Sequence, residues 1–333
     1  MMALLCAVAL LASSCSKTTT LRGHVVDVVN GEITDAEIAI RDGRILSITP
    51  CQVEEDAPFY MPGWVDAHVH IESSMMLPTE FARIAKRHGT IAVIADPHEI
   101  ANVLGVPGVE LMLDDAKKAD FYFAFMAPSC VPACSADIET SGAVLDVEDV
   151  KALLAREDIY GLGEMMNFPG VLSGDSAVMA KIEACLALGK QVDGHAPGLL
   201  GEARMQYAAA GITTDHECST IEEARAAVAA GMFVQIREGS AALNYNALHP
   251  ILGEAPELAM FATDDSHPTD LLLGHIDDHV RTSLALGYPL MNILQAASVN
   301  PIRHYKLPCG LLQVGDAADL IAISDTTPKF RVL

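Results

Sequence analysis

Basic residues are scarce in this chain. Only 21 Lys and Arg stand against 44 Asp and Glu in 333 residues, a formal charge of −23. Binding to phosphate backbones needs a basic face, so nucleic acid is excluded as a generic partner. Cysteine is also sparse: eight irregularly spaced residues with no C-x-x-C pair exclude both a disulfide scaffold and a zinc ribbon. No Gly-x-Gly-x-x-Gly follows a strand-like run, which removes the main support for a doubly wound nucleotide fold. Long apolar runs are missing as well. The run from Met1 to Ser14, followed by Cys15, is too short to span a bilayer comfortably, and no Lys or Arg precedes it as in an ordinary signal peptide. Residues 1–20 therefore read as an apolar extension, with a leader or lipoprotein signal as the alternative. The expected compartment is the cytoplasm, or an exported state if residues 1–15 act as a leader.

What the chain does have is a folded composition, 51% hydrophobic and 20% charged, and twelve histidines, more than packing alone requires. Residues 21–61 read as short strands: His24 to Val29, Ala36 to Ile40 and Arg44 to Ile48, with turns at Asn30-Gly31 and Asp42-Gly43. From residue 62 the texture changes to apolar runs at 64–70, 91–96, 121–128, 159–165, 191–195, 212–216, 233–238 and 258–264. Helical patterns separate them, among them Thr79 to His88 after Pro78, Asp146 to Arg156, Ser176 to Leu188, Glu202 to Ala210 and Ile221 to Ala230. Eight strands alternating with helices predict an α/β fold, a (β/α)8 TIM-like barrel over 62–308. The segment 311–323 returns to β character, so 309–333 is expected to join 21–61 in a small β-sandwich built from both chain ends.

Polar residues recur at the ends of these runs, where this fold places its chemistry. The first ends Asp66-Ala67-His68-Val69-His70, and two residues apart on a strand share a face. Others end at Glu164, His195, His216-Glu217 and Asp264-Asp265. Taken singly, each has a bland explanation as a satisfied core histidine or a solvated loop acid. Taken jointly, burying His68, His70, Glu164, His195, His216 and Asp264 without a cation would be costly. The mixture of nitrogen and oxygen donors suits two divalent ions such as zinc, manganese or ferrous iron. Asp96, His98 and Glu99 follow the second run and Arg237 and Glu238 the seventh. These are candidate substrate contacts, with a loop turn, a helix cap or a loop-holding salt bridge as the competing structural roles. Cys130, Cys134, Cys185 and Cys218 read as small buried hydrophobes.

Pro62-Gly63-Trp64-Val65-Asp66-Ala67-His68-Val69-His70 resembles the first-strand signature of the amidohydrolase superfamily. The segments Ile71-Glu72-Ser73-Ser74-Met75, Ala95-Asp96-Pro97-His98-Glu99-Ile100-Ala101-Asn102, Pro128-Ser129-Cys130-Val131-Pro132-Ala133, Gly163-Glu164-Met165-Met166-Asn167, Asp193-Gly194-His195-Ala196-Pro197, Asp215-His216-Glu217 and Arg237-Glu238-Gly239-Ser240 narrow the match. In that order they resemble the bacterial adenine deaminase family over roughly residues 20 to 325. The resemblance implies hydrolysis of adenine to hypoxanthine and ammonia at a binuclear site, with manganese or ferrous iron ahead of zinc. It also implies that His68, His70, His195, His216 and Asp264 are ligands. Glu164 would bridge the two ions where many superfamily members carry a carboxylated lysine, and Asp264 would double as the base. A purine and water are then the small-molecule partners, and a homo-oligomer is expected. Such proteins usually continue well past the barrel, whereas this chain ends at Leu333. A shortened, inactive remnant therefore stands as one alternative, and another cyclic-amide hydrolase as a second.

Overall fold

The computed structural model describes residues 17–133 and 138–333. The proposed leader and Cys134 lie outside the described residues. Four strands come first: β1 (Thr19–Asp27), β2 (Glu32–Arg41), β3 (Arg44–Pro50) and β4 (Phe59–Pro62). The turns between β1, β2 and β3 use the left-handed backbone at Gly31 (φ 75°), Asp42 (φ 53°) and Gly43 (φ 71°), as Asn-Gly and Asp-Gly hairpins require. β1 pairs with β2 from Thr19↔Ile40 to Asp27↔Glu32, so both strands run longer than the sequence pattern indicated. The last strand, β14 (Leu320–Ile323), returns to pair antiparallel with β4, giving one five-stranded layer in the order β14-β4-β1-β2-β3. Both ends of the described chain thus contribute to that layer.

Between them lies the barrel: β5 (Trp64–His70), β6 (Thr90–Ala95), β7 (Tyr122–Ala127), β8 (Ile159–Met165), β9 (Gln191–Gly194), β10 (Thr214–Asp215), β11 (Phe233–Arg237) and β12 (Ala259–Ala262). β12 continues as the two-residue β13 (Asp264–Asp265), which pairs with β5 and closes the ring. β5 to β9 form one parallel ladder and β10 to β12 another. The Thr213 N–H donates to the Val192 carbonyl at 3.0 Å across the seam. All eight predicted runs are strands, as the α/β barrel reading expected. The helices between them start where side chains satisfy the first free N–H groups. Asp146 caps Val147–Leu154 in a capping box, Asp175 caps Ser176–Ala187, Thr220 caps Ile221–Ala229, and Pro78 opens Pro78–Ala85.

Inside the ring, Val65, Ala67, Ala92, Ile94, Ala124, Met126 and Met260 pack with Tyr305. The Tyr305 hydroxyl donates to Asp193 Oδ1 on β9 at 2.9 Å and lies 3.3 Å from the Gln235 amide on β11, so this cluster is the barrel floor. Above it, β-bulges re-aim the strand ends. Asp66↔Val93 is followed by Val69↔Ala95, three steps on β5 against two on β6. Leu162↔Val192 is followed by Met165↔Gly194 in the same way. Such a slip turns the next side chains away from strict alternation. Here it brings His68, His70 and Glu164 to the mouth.

One buried ion pair supports this rim from outside the ring. Arg204, in the helix Gly201–Ala209, donates to Asp215 on β10, and both side chains are fully buried. Asp215 Oδ1 also accepts from the Ala196 and Glu217 N–H groups, tying together the chain on either side of it. Removing one partner of a buried pair strands the other charge, so Arg204→Met is expected to cost about 3–5 kcal/mol in denaturant unfolding. Arg225→Met, which breaks an exposed pair with Glu254, should leave the unfolding midpoint unchanged.

Candidate metal centre

Glu164 stands at the centre of the mouth, 3% exposed. Its Oε1 lies 3.2 Å from His70 Nε2 and 3.2 Å from His98 Nδ1. Its Oε2 lies 2.5 Å from His195 Nδ1 and 3.1 Å from His216 Nε2. Asp264 approaches from the opposite edge, with Oδ1 3.2 Å from His70 Nε2. His68 stacks on His216 with ring centroids 4.0 Å apart. The six residues expected to converge therefore do so, although they come from five different strand ends.

Four of them are fixed from behind. His70 Nδ1 donates to the Asp96 carbonyl at 2.9 Å, which turns Nε2 toward the cluster. The His195 N–H donates to the Tyr207 hydroxyl at 3.0 Å, and that hydroxyl donates to the Met165 carbonyl at 2.8 Å. The Glu164 N–H donates to Asp96 Oδ2 at 2.9 Å. Asp96 can approach so closely because residue 163 is glycine: a Cβ there would lie 2.1 Å from Asp96 Oδ2. Asp66 holds β12 to β5 by accepting from the Thr263 N–H at 3.0 Å and from its hydroxyl at 2.5 Å. Asp264 itself sits in the left-handed region (φ 60°), a conformation that a non-glycine residue keeps only when its surroundings impose it. Gly239 supplies part of that constraint, lying so close under the next turn that a Cβ would fall 2.0 Å from the Thr263 carbonyl.

The electrostatics are those of bases competing for too few protons. Burial pushes Glu164 up, but attraction to His216 and hydrogen bonds from His195, His216 and His70 carry it well below the usual range. Burial lowers His216, and the Glu164 and Asp264 carboxylates overcome this to raise it to about 9. His68 is held well below its ordinary value by burial and by repulsion from His216 and His70. Its buried Nε2 has no hydrogen-bond partner, an unusual state for such an atom.

A cation resolves all of these features. Three sets of donors have atoms within 4.8 Å of one another: His68, His216 and Asp264; His68, His70 and Glu164; and Glu164, His195 and His216. The three sets overlap at Glu164, His68 and His216. The donor set fits divalent metal. A fourth set, Asp96, His98 and Glu164, shares the same central carboxylate.

The remaining predicted residues separate. A cavity of about 250 Å³ opens over the cluster, with His98, Glu99, Glu217 and Arg237 in its wall. Asp96 is not in that wall; it is 1% exposed and supports Glu164 from below. Glu238 is exposed, because it follows inward-facing Arg237 on the strand and takes the opposite face. The salt bridge of this segment is therefore not Arg237 with Glu238. Arg237 Nη1 contacts Glu217 Oε1 at 2.5 Å and also Asp264 Oδ2. Glu217 was passed over in the sequence because it reads as the loop residue after a ligand. Its signal was being the third polar residue in Asp215-His216-Glu217. Cys130, Cys185 and Cys218 are buried, as read.

A model of the amidohydrolase family matches residues 59–333. The chain belongs to the amidohydrolase family. Among curated relatives, this amidohydrolase is 51% identical over 310 residues to the adenine deaminase of Parabacteroides distasonis, covering 93% of this chain and 56% of the relative. It is 49% identical over 316 residues to the adenine deaminase of Methanosarcina barkeri, covering 94% and 56%. The chain thus spans little more than half the length of these relatives. The fold is also similar to solved structures. N-acetyl-D-glucosamine-6-phosphate deacetylase from Mycobacterium smegmatis gives a TM-score of 0.67 at 18% identity, covering 91% of this chain and 95% of that one. A D-hydantoinase gives 0.65 at 16%, covering 92% and 86%.

Since the Glu164 and Asp264 carboxylates raise His216 to about 9, a metal that takes its ring nitrogen is expected to displace a proton below that pH. Manganese affinity should therefore rise with pH up to about 9, by roughly tenfold per pH unit for each proton released. Calorimetry in buffers of different ionisation enthalpy measures that proton count; pH-independent affinity would contradict the protonated site.

Proposed function

We propose that this amidohydrolase catalyses hydrolytic deamination of adenine to hypoxanthine and ammonia. The observation carrying this reading is the cluster of four imidazoles and two carboxylates around Glu164, together with about 50% identity to adenine deaminases across nearly the whole chain. In the proposal, His68, His70, Glu164, His195, His216 and Asp264 hold two divalent ions, manganese or ferrous iron ahead of zinc. When bound, these ions acidify water and offset the charge that develops during attack. The chain's own groups then handle protons and orientation. Asp264 accepts the proton of the water that adds to C6 of the purine ring, and returns it to the exocyclic nitrogen as the C–N bond breaks. One water is consumed, its oxygen remains on C6, and ammonia leaves.

Three features of the site support this division of work. Asp264 Oδ1 faces the cluster, 3.2 Å from His70 Nε2, whereas Oδ2 is engaged by Arg237, so the carboxylate presents a single oxygen to the centre. His98 and Glu99 stand in the cavity wall beside Glu164, within reach of a bound ring. Glu164, whose two oxygens each face imidazoles, would be a central holder of the ions.

The test is ammonia release from adenine by the full chain loaded with manganese or ferrous iron. Activity is expected on adenine and not on dihydroorotate or hydantoins. Asp264→Asn should lower kcat by about 10²–10⁴, the range for losing a general base. Retained activity in that variant would remove Asp264 from the proton path. Absence of adenine turnover in a metal-replete chain would overturn the reading.

A further inference from the structure

Arg237, in the cavity wall, touches two carboxylates through one nitrogen. Its Nη1 binds Asp264 Oδ2 and lies 2.5 Å from Glu217 Oε1, while its buried Nε has no hydrogen-bond partner. The backbone around this pair is rigid. The Arg237 N–H donates to Asn244 Oδ1 at 2.6 Å, and the Asn244 amide donates to the His216 and Cys218 carbonyls at 3.0 Å each. One asparagine therefore locks the end of β11 to the loop after β10, which carries both His216 and Glu217.

The two oxygens of a free carboxylate are equivalent and exchange by rotation about one bond. In Asp264 they are not equivalent. Oδ2 is taken by Arg237, leaving Oδ1 at 3.2 Å from His70 Nε2. A guanidinium is always charged, so an arginine alone at this spot would repel any cation nearby. Glu217 removes that objection. Its carboxylate, 21% exposed, is 2.5 Å from the same nitrogen and cancels the charge locally.

We infer that Glu217 is a positioning residue: through Arg237 it fixes Asp264 with a single oxygen facing the metal cluster, and it neutralises the guanidinium that does the holding. Glu217 does not act by binding substrate. Glu217 Oε1 also lies 3.5 Å from His216 Nε2 and 3.9 Å from His195 Nδ1, longer contacts than its 2.5 Å to Arg237, so the larger part of its effect runs through the guanidinium and depends on Arg237. This inference deepens the deaminase reading, but its principal test needs no substrate.

That test is a double-mutant cycle on manganese affinity, measured by chelator competition with the full chain. Glu217→Gln should weaken manganese binding by roughly 10–100-fold, the size expected for residues that orient metal ligands. In an Arg237→Met background the same substitution should change affinity several-fold less, because the route through the guanidinium is gone and only the longer contacts to His216 and His195 remain. Equal effects in both backgrounds, or no effect of Glu217→Gln on manganese affinity, would overturn the inference. Should Glu217→Gln lose the near-ultraviolet circular dichroism of the native fold, Glu217→Asp replaces it. That variant keeps the charge, so wild-type-like affinity is expected, and a loss as large as 10-fold would overturn the role of charge. Steady-state kinetics on adenine supply an independent arm. Positioning predicts a fall in kcat with KM within about twofold, whereas a rise in KM alone would make Glu217 a substrate contact. If the wild-type chain turns over no adenine, the deaminase reading fails while the manganese cycle still decides this one.

Discussion

A single buried carboxylate organises the mouth of the barrel. Glu164 has imidazole nitrogens of His70, His98, His195 and His216 within 3.2 Å, two to each oxygen, which occupies all of the roughly four lone-pair sites of the carboxylate. Burying a carboxylate is costly, and crowding neutral bases around it does not repay that cost. Positive charge does, whether as protons on His70 and His216 or as divalent cations in their place. The rest of the site answers to this demand. The bulge before Met165 turns Glu164 inward, the missing side chain at Gly163 admits Asp96, and Asp96 in turn receives the Glu164 N–H.

Around this centre lies a second layer of acids that are not candidates for chemistry. Asp66, Asp96 and Asp215 are all essentially buried, and each accepts hydrogen bonds from backbone N–H groups near a strand end. Each fixes the path of the chain where a functional side chain departs. Asp66 binds Thr263 just before Asp264, Asp96 binds Glu164, and Asp215 binds the N–H groups of Ala196 and Glu217, on the far sides of His195 and His216. The part of the excess acidity placed here is structural. A histidine or glutamate at the mouth keeps its direction because a neighbouring aspartate holds its backbone.

The barrel was legible in the sequence because its signals are local. Eight apolar runs, caps such as Asp146 and Thr220, and the Pro78 helix start each depend on a few adjacent residues. The six converging residues were legible for a related reason: the fold sends strand ends to one face, so position along a run is enough to find them. Arg237 was found, but its partner was not. Adjacency favoured Glu238, whereas strand alternation sends Glu238 outward and brings Arg237 to Glu217, twenty positions earlier. Asp96 was misjudged as a substrate-side residue for a similar reason. Its role depends on the absence of a Cβ at Gly163, 67 positions later, which no local pattern records. Contacts across the ring, not elements along the chain, were the illegible part.

The ring closes when β13 pairs with β5, and that pairing sets Asp264 opposite Val69, between the two histidines of the first barrel strand. The donors around Glu164 span nearly two hundred positions, and a chain emerging from the ribosome presents them in order. Until the Asp264 segment is synthesised and docked, His68 and His70 have no acid from the far side of the ring. The centre is complete only once that segment is in place. A nascent or circularly opened chain would carry most of the same histidines without the enclosure that makes them one site.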